Sequence, residues 1–509
     1  MEILPLVFTA IATVGLYACF YRWVLHRNHR GPRIWPILGS ILDMTRNRWR
    51  MHDYVLDNLK IYYPTYLMKM PGLNYVVTVD PANIEYVLKT NFSNYDKGEQ
   101  QHHRLVDLLG DGIFNADGDI WKKHRKVASY EFASKVLRDH SFHNFKNNAV
   151  KLCQILDRAA EENKPVDMMD LMLRLTFESI CQMGFGVDMG LLDPSLPEVP
   201  FAISFEDATS RSSERFIDPL WQLKKALNLS SEAAMKKDIE TINDFTLKLV
   251  KNRKKELETK KQGRPDLLSR FVEAFKEESI TANPEKDLQD VVTNFILAGR
   301  DTTGVSLAWF LYEVSCNPQV EEKIVAELLR LERDRQGMTD YTTSSEGEMS
   351  DFVRLLDYEN VSNMHYLHAA LSESMRLHGP IPVDVRVAMN DDVLPCGTRV
   401  HKGNLLMYSA YAQGRMEQIW GSDVMEFKPE RWLKDGVFQP ESPYKYPVFH
   451  AGPRLCLGKD SAYLQMKITI AALLRFFTFK VVPGHEVRYK VTLTLNMHNG
   501  LKMIVRKRS

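Results

Sequence analysis

Phe449-His450-Ala451-Gly452-Pro453-Arg454-Leu455-Cys456-Leu457-Gly458 decides how the rest of this 509-residue chain is read. One cysteine stands in a loop with a glycine on either side, an aromatic residue upstream and an arginine two residues before the sulfur. A thiolate that ligates iron needs such surroundings, and its electron donation favours O–O cleavage in bound dioxygen. Gly452 and Gly458 let the backbone turn tightly and approach a flat macrocycle that a Cβ would obstruct. Phe449 can shield the sulfur with an apolar ring, and Arg454 can reach a carboxylate of the macrocycle with a charge-assisted hydrogen bond. Cys456 therefore reads as the single thiolate ligand of a haem iron rather than as a buried core thiol, the usual fate of a lone cysteine.

Composition narrows the field. A formal net charge of +1 gives no electrostatic reason to expect nucleic acid. The six cysteines are scattered without CxxC pairs, which points to a reducing compartment and away from structural zinc. Residues Ile3 to Phe20 carry no charge. As a helix, the run through Leu25 would span roughly 30 Å, enough to cross a bilayer. Arg22 can snorkel near its end, Arg27, Arg30 and Arg33 follow it and no basic residue precedes it, so the positive-inside rule puts the remainder in the cytosol. A cleaved signal peptide wants a basic start and a small-x-small site, and neither is clear. Residues 1–26 are thus expected as an uncleaved transmembrane anchor and 27–50 as a basic hinge stiffened by Pro32 and Pro36. Residues 51–509 are expected as one domain without an internal boundary.

Thr65–Met70 and Tyr75–Asp80 read as strands about the turn Pro71-Gly72, and Asp80-Pro81 as the N-cap and first residue of a helix towards Lys89. Beyond about residue 120 helical patterns dominate. Lys251–Asp266 reads as a solvated helix end and loop, and Arg335–Asp351 as a surface loop. Strands are expected again at Asp384–Ala388 and within Val491–Val505. The fold class is mainly α with a minor β part.

Three further motifs accompany the cysteine loop. Trp121 and Arg125 lie four apart, on one helix face. Leu288–Val314 reads as one long apolar helix with Ala298-Gly299-Arg300-Asp301-Thr302 in its middle, where polar residues need a reason. Thr302 can bond back to the carbonyl of Ala298. Glu373 and Arg376 lie three apart on a helix face, and Lys428-Pro429-Glu430-Arg431-Trp432 follows. In this order the motifs resemble those of the cytochrome P-450 monooxygenases, from about residue 30 to the C-terminus. The resemblance implies the haem-thiolate fold and a haem b with Cys456 as axial ligand, Gly458 and Phe449 around it. It implies Trp121, Arg125, Arg386 and Arg454 at the propionates. Glu373, Arg376 and Arg431 would form a structural network holding the cysteine loop. Gly299 would open the helix locally, Thr302 and Asp301 would relay protons during dioxygen activation, and electrons would come from NADPH through NADPH–cytochrome P-450 reductase. Lys122, Lys123 and Lys126 offer that partner a basic patch, or are simply a solvated face.

Finer segments resemble the plant long-chain fatty-acid ω-hydroxylase clan: Asn91–Gly98, Gly110–Gly118, Leu297–Thr302, Gly414–Glu417 and Ala451–Lys459. Arg215–Trp221 and Trp432–Phe438 are similar to the branch that supplies ω-hydroxy fatty acids for sporopollenin of spore and pollen walls. Leu377–Asp384 departs from that branch, with His378-Gly379 where it has an aromatic and a small residue or proline. The implied activity is hydroxylation of the terminal carbon of a long-chain fatty acid at the endoplasmic reticulum membrane. Fatty acyl hormone conjugates, alkanes, sterol side chains and a reductase-independent isomerase or dehydratase remain alternatives. An apolar channel with one polar end suits such substrates, and Phe114, Phe295, Ala298, Ile381, Val383 and Leu495 are the candidates for its lining.

Overall fold

The computed structural model describes residues 13, 15, 20, 29–218, 220–259, 266–277, 283–335 and 345–508. The anchor expected over 1–26 lies outside these residues apart from Thr13, Gly15 and Phe20. Among the described residues no helix is long and apolar enough to cross a membrane.

Helices dominate and sheets are small, as the sequence patterns predict, but the chain divides into two compact units. The smaller comprises Met1–Lys97, Pro382–Val424 and Ala451–Arg454, and the larger Gly98–Ile381, Met425–His450 and Leu455–Ser509. The units interleave along the chain, so no linker composition marks where one ends.

The smaller unit is built on a five-stranded sheet in the order Thr65–Met70, Leu73–Thr78, Leu405–Tyr408, Asp384–Ala388, Tyr95–Asp96. The first hairpin closes through Pro71-Gly72, with Gly72 at φ +72 and Met70 opposite Leu73. The second strand starts and ends two residues earlier than expected, because Asp80 is committed elsewhere: its side chain accepts from Ala82 N at 2.9 Å and caps the helix Pro81–Glu85. The hinge expected over 27–50 is docked from Arg30 onward. Leu67 N donates to Arg30 O, Ser40 N donates to Lys69 O, and a Cβ on Gly31 would stand 1.9 Å from Leu67 O.

In the larger unit the helix expected over Leu288–Val314 forms as Pro284–Ile296, a π-helical turn Leu297–Asp301, and Thr302–Cys316. It packs on Met168–Phe185 and on His365–Leu377. One loop expectation fails, while the helix end expected over Lys251–Asp266 forms as far as Thr259 and is exposed at most of its residues. Ser345–Leu355 is helical, because Met349 and Phe352 are three apart and buried; tertiary burial overrides the polar composition. Arg253 and Asp266, expected in a solvated end, form a buried ion pair at 3.0 Å. The C-terminal strand is Lys502–Lys507, which begins inside the expected region and runs two residues past it, and pairs with Phe477–Val481 and Val166–Asp167.

Candidate functional site

The cysteine loop folds through a tight turn at Pro447–Phe449, and Cys456 N donates to Phe449 O at 2.9 Å. Two residues after the sulfur, Gly458 caps the helix Lys459–Phe476. Cys456 is exposed, yet surrounding protein strips enough water for burial to push its thiol up. The two observations agree if the sulfur lines a concave wall, open in one direction only. The backbone N–H of Gly458 and the charge of Arg125 pull the other way without cancelling burial. A Cβ on Gly458 would meet the Phe132 ring at 3.7 Å and the sulfur at 4.0 Å, ordinary contacts, so its value lies in that N–H and in the cap. In the smaller unit, Gly452 sits at φ +63, where a Cβ would stand 1.9 Å from Leu88 O. Close backbone packing, which the sequence did not disclose, already requires glycine there.

The π-helical turn carries the polar residues of the long helix. Thr302 Oγ1 donates to Ala298 O at 2.5 Å, the back-bond expected from spacing. The widened turn leaves Arg300 O available, and the Thr176 hydroxyl lies 2.8 Å from it. Gly299 was expected to open the helix; the opening belongs to the whole π turn. A Cβ on Gly299 would stand 2.7 Å from the Ile180 side chain, so this glycine also lets Met168–Phe185 pack closely. Asp301 is buried and paired with Arg300 at 2.6 Å, a partner the sequence reading missed. Burial raises the Asp301 carboxyl, and the Arg300 guanidinium opposes the rise only in part.

Glu373 is the centre of a buried network. Its carboxylate accepts from Arg376 Nε and Nη2 at 2.8 Å each, Arg431 Nε at 2.8 Å, Trp432 Nε1 at 2.9 Å and Lys428 N at 3.0 Å. Arg376 Nη2 also donates to Glu426 O at 3.1 Å. The network reaches the cysteine segment through aromatic residues. Trp432 packs edge-on against Tyr446, whose hydroxyl donates to Ser372 O, while Ser372 Oγ and Tyr463 OH share a hydrogen bond at 2.8 Å. The Tyr463 ring lies 5.3 Å from that of Phe449.

On the helix Gly118–Phe132, Trp121 is buried and Arg125 half-buried, and burial lowers the Arg125 pKa while Cys456 raises it. Lys122 on the same helix is exposed and pairs with Asp119.

The smaller unit holds a second cluster. Arg386 and Asp384 sit two apart on one strand, hence on one face. Asp384 accepts from Lys97 Nζ at 2.7 Å, Arg386 Nη2 at 3.0 Å and Tyr408 OH at 3.1 Å. Burial and the charge of Arg386 bring the Lys97 ammonium down to about 8 against the pull of Asp384, and Arg454 adds to the cationic field. Asp384 thus gathers Lys97 and Arg386, with the charge of Arg454 acting on Lys97 as well. Lys97 was not foreseen as part of this cluster.

The lining candidates separate. Phe114 and Ile381 are exposed large apolar side chains at 41% and 38%. Ala298 in the larger unit and Val383 in the smaller are half-buried. Phe295 is buried, its ring stacked on Phe132 and tilted on Phe271. Leu495 is fully buried, with its N–H on Pro380 O and its carbonyl accepting from Trp309 Nε1 at 2.7 Å. The departing His378 stacks on Trp309 at 4.0 Å and bonds Glu313 at 2.6 Å, which fixes the Pro380 segment against the long helix.

The family model for cytochrome P450 matches residues 30–504. Cytochrome P450 704B1 of Arabidopsis thaliana is 45% identical, over 99% of this chain and 100% of that protein. Cytochrome P450 704C1 of Pinus taeda is 42% identical over 98% of each chain, and cytochrome P450 86B1 of Arabidopsis thaliana 40% identical over 100% of this chain and 90% of the relative.

Proposed function

The chain belongs to the cytochrome P450 family, and we propose that within it the protein hydroxylates the terminal carbon of long-chain fatty acids. The family's cofactor is haem b held by a cysteine thiolate, with electrons delivered by a reductase. The residues present fit that group. Cys456 is exposed and its sulfur is backed by the Gly458 N–H, while Arg125 is close enough for its charge to act on the sulfur. Cys456 would bind the iron, with Phe449 behind it. Trp121 and Arg125 would take a propionate, and Arg386 and Arg454, joined by Lys97, form a donor set suited to carboxylates. When bound, the haem supplies dioxygen activation.

The chain's own residues prepare the proton supply. Thr302 holds its hydroxyl hydrogen on Ala298 O and delivers it by rotating out of that bond. Asp301 carries a proton more readily than an ordinary carboxyl because burial raises it. Arg300 keeps Asp301 in place between deliveries. In this reading Thr302→Ala retains haem and consumes NADPH but forms several-fold less product per NADPH, as expected for a proton donor acting in the reaction. An unchanged yield per NADPH would remove Thr302 from the mechanism.

The single observation that supports the substrate reading is the presence of the π-helical turn Leu297–Asp301 and of exposed apolar residues, Phe114 and Ile381, in the same unit. The motif resemblances to the fatty-acid clan support it. Terminal attack is intrinsically harder than in-chain attack, because a primary C–H bond is stronger than a secondary one. The lining must therefore let only the last carbon approach. We place the protein at the endoplasmic reticulum membrane with its catalytic part cytosolic and NADPH–cytochrome P450 reductase as partner, in keeping with the apolar N-terminal run. The test is product analysis from microsomes containing this chain, the reductase, NADPH and mixed saturated and unsaturated long-chain acids. Mass spectrometry should place a new hydroxyl on the last carbon. In-chain products or none, with an intact thiolate–CO Soret band, would defeat the ω-hydroxylase reading.

A further inference from the structure

The helix Glu99–Leu109 buries Gln101, Arg104 and Leu108 on one face. Arg104 is only 9% exposed, and its Nε and Nη1 have no hydrogen-bond partner among the described residues. Its guanidinium lies 5.3 Å from the centre of the Phe216 ring, an apolar neighbour that supplies no counter-charge. The nearby carboxylates are committed to other cations. Arg215 takes Glu232 through two bonds at 2.9 and 2.6 Å and Asp107 at 2.8 Å, and Lys225 takes Asp107 at 2.6 Å. Asp111 is held by His102 at 2.8 Å. Arg215 sits directly against this helix, donating to Arg104 O at 2.9 Å. Three cations, Arg104, Arg215 and Lys225, therefore share two carboxylates, Asp107 and Glu232. A buried guanidinium left without an anion is costly, and a sequence that retains one has a use for it.

Two more buried donors lie close in the fold. Gln101 Nε2, one helical turn from Arg104, has no partner among the described residues. Neither has Ser212 Oγ, on the helix Pro200–Glu214 that packs against this one. A planar guanidinium with free N–H groups matches a carboxylate in shape and charge.

The long helix gives the distance scale. Asp111 N donates to Asp290 Oδ2 at 3.0 Å, which sets the end of the Glu99–Leu109 helix beside Asp290. Asp290 precedes Thr302 by twelve residues, and a helix of that length rises about 18 Å. An extended alkyl chain with bonds of about 1.5 Å advances about 1.25 Å per carbon, so this rise equals about fourteen carbons. The end of the Glu99–Leu109 helix and the Thr302 turn are thus separated by a length that a long-chain acid spans, and Arg104 lies five residues before that end, a further rise of about 8 Å along its own helix.

We propose that Arg104, assisted by Gln101, anchors the substrate carboxylate and so selects the ω end for oxidation. The proposal rests on the fatty-acid reading above. It is tested with the haem-loaded full chain in lipid nanodiscs, titrated with hexadecanoic acid and with its methyl ester, the Soret spin shift reporting binding. The unmutated chain should bind the acid at least tenfold more tightly than the ester. Arg104→Gln should weaken acid binding by about tenfold to a hundredfold, the range for a charge-assisted hydrogen bond, and leave ester binding unchanged. Arg104→Lys should restore part of the loss. Equal losses for acid and ester would make Arg104 a scaffold residue and overturn the proposal, as would an unaltered acid affinity. The acid–ester comparison in the unmutated chain needs no variant, so a misfolded mutant does not shelter the idea. Equal affinities there overturn the anchor while fatty-chain oxidation stands. No binding of either ligand and no fatty-acid product would defeat the fatty-acid reading itself, and the anchor with it.

Discussion

Glu373→Ala should abolish haem-loaded protein altogether. Both oxygens of Glu373 are occupied, by five donors from Arg376, Lys428, Arg431 and Trp432, and the carboxylate has no solvent access. Removing it leaves the Arg376 and Arg431 guanidiniums close together with no carboxylate between them, and strips the indole N–H and one backbone N–H of their acceptor. Breaking a buried pair by deleting one partner costs about 3–5 kcal/mol. That is a large part of the ~5–15 kcal/mol by which a domain is stable. The damage falls where the cofactor is to be held, because Trp432, Tyr446, Ser372 and Tyr463 connect this network to Phe449. Glu373→Gln should fare little better: an amide cannot neutralise two arginines, and its NH2 group meets donors. The measurement is the haem-to-protein absorbance ratio with a thermal melt. Full haem occupancy and a Tm within a few degrees of the parent would dispose of the structural role.

That network also shows what a sequence discloses. The three-residue spacing of Glu373 and Arg376 puts them on one helix face, and Arg431 was readable beside Trp432. The remaining contacts were not. A backbone N–H from Lys428 and a carbonyl from Glu426 carry no side-chain signature, and Trp432 reads as core until its N–H has a direction. The same limit hid Arg300. Adjacent residues on a regular α-helix point about 100° apart and do not face one another. Here the pair lies in a π-helical turn, whose wider winding brings neighbours round less per residue, and Arg300 reaches Asp301. The long helix itself was legible from its apolar run, but not the π turn within it. Nor were the two units, since the chain returns to the smaller one at Pro382–Val424 and again for the four residues Ala451–Arg454. The helix at Ser345–Leu355 has Ser, Gly and Glu dominating its start, and its buried apolar residues, Met349, Phe352, Val353 and Leu355, all fall after that start. Arg104 was overlooked for a different reason: a basic residue in a polar stretch reads as solvated, and only the fold reveals that it is buried without an anion.

Cys456→Ser should remove the thiolate Soret band and bring product to background while sparing the fold. The loop is shaped by bonds that serine keeps, including Cys456 N to Phe449 O. The sulfur is exposed, so the stability change should stay within about 1 kcal/mol. What is lost is electronic. Serine does not ionise under conditions where a thiol can, and its oxygen does not donate to iron as sulfur does. The choice of Cys456 can be tested against Cys153, Cys181 and Cys396. Burial pushes Cys153 up to about 12 and raises Cys181 well above the ordinary thiol range, so both are inert. Cys396 is the serious competitor. It too is exposed, and although burial raises it, hydrogen bonds with Thr398 and Asn83 outweigh that and leave its thiol below the ordinary value. On acidity alone Cys396 would be preferred, since Cys456 is raised. Acidity of the free thiol is the wrong criterion, because iron supplies the charge that stabilises a bound thiolate. The ligand position needs an open sulfur whose backbone donor and cation remain compatible with that bond, and Cys456 has both in Gly458 and Arg125. Cys396 already spends its sulfur on the side chains of Asn83 and Thr398. Cys396→Ser should therefore leave the reduced, CO-bound spectrum and the product yield at parental values. A spectrum that survives in Cys456→Ser and fails in Cys396→Ser would move the haem to the other sulfur.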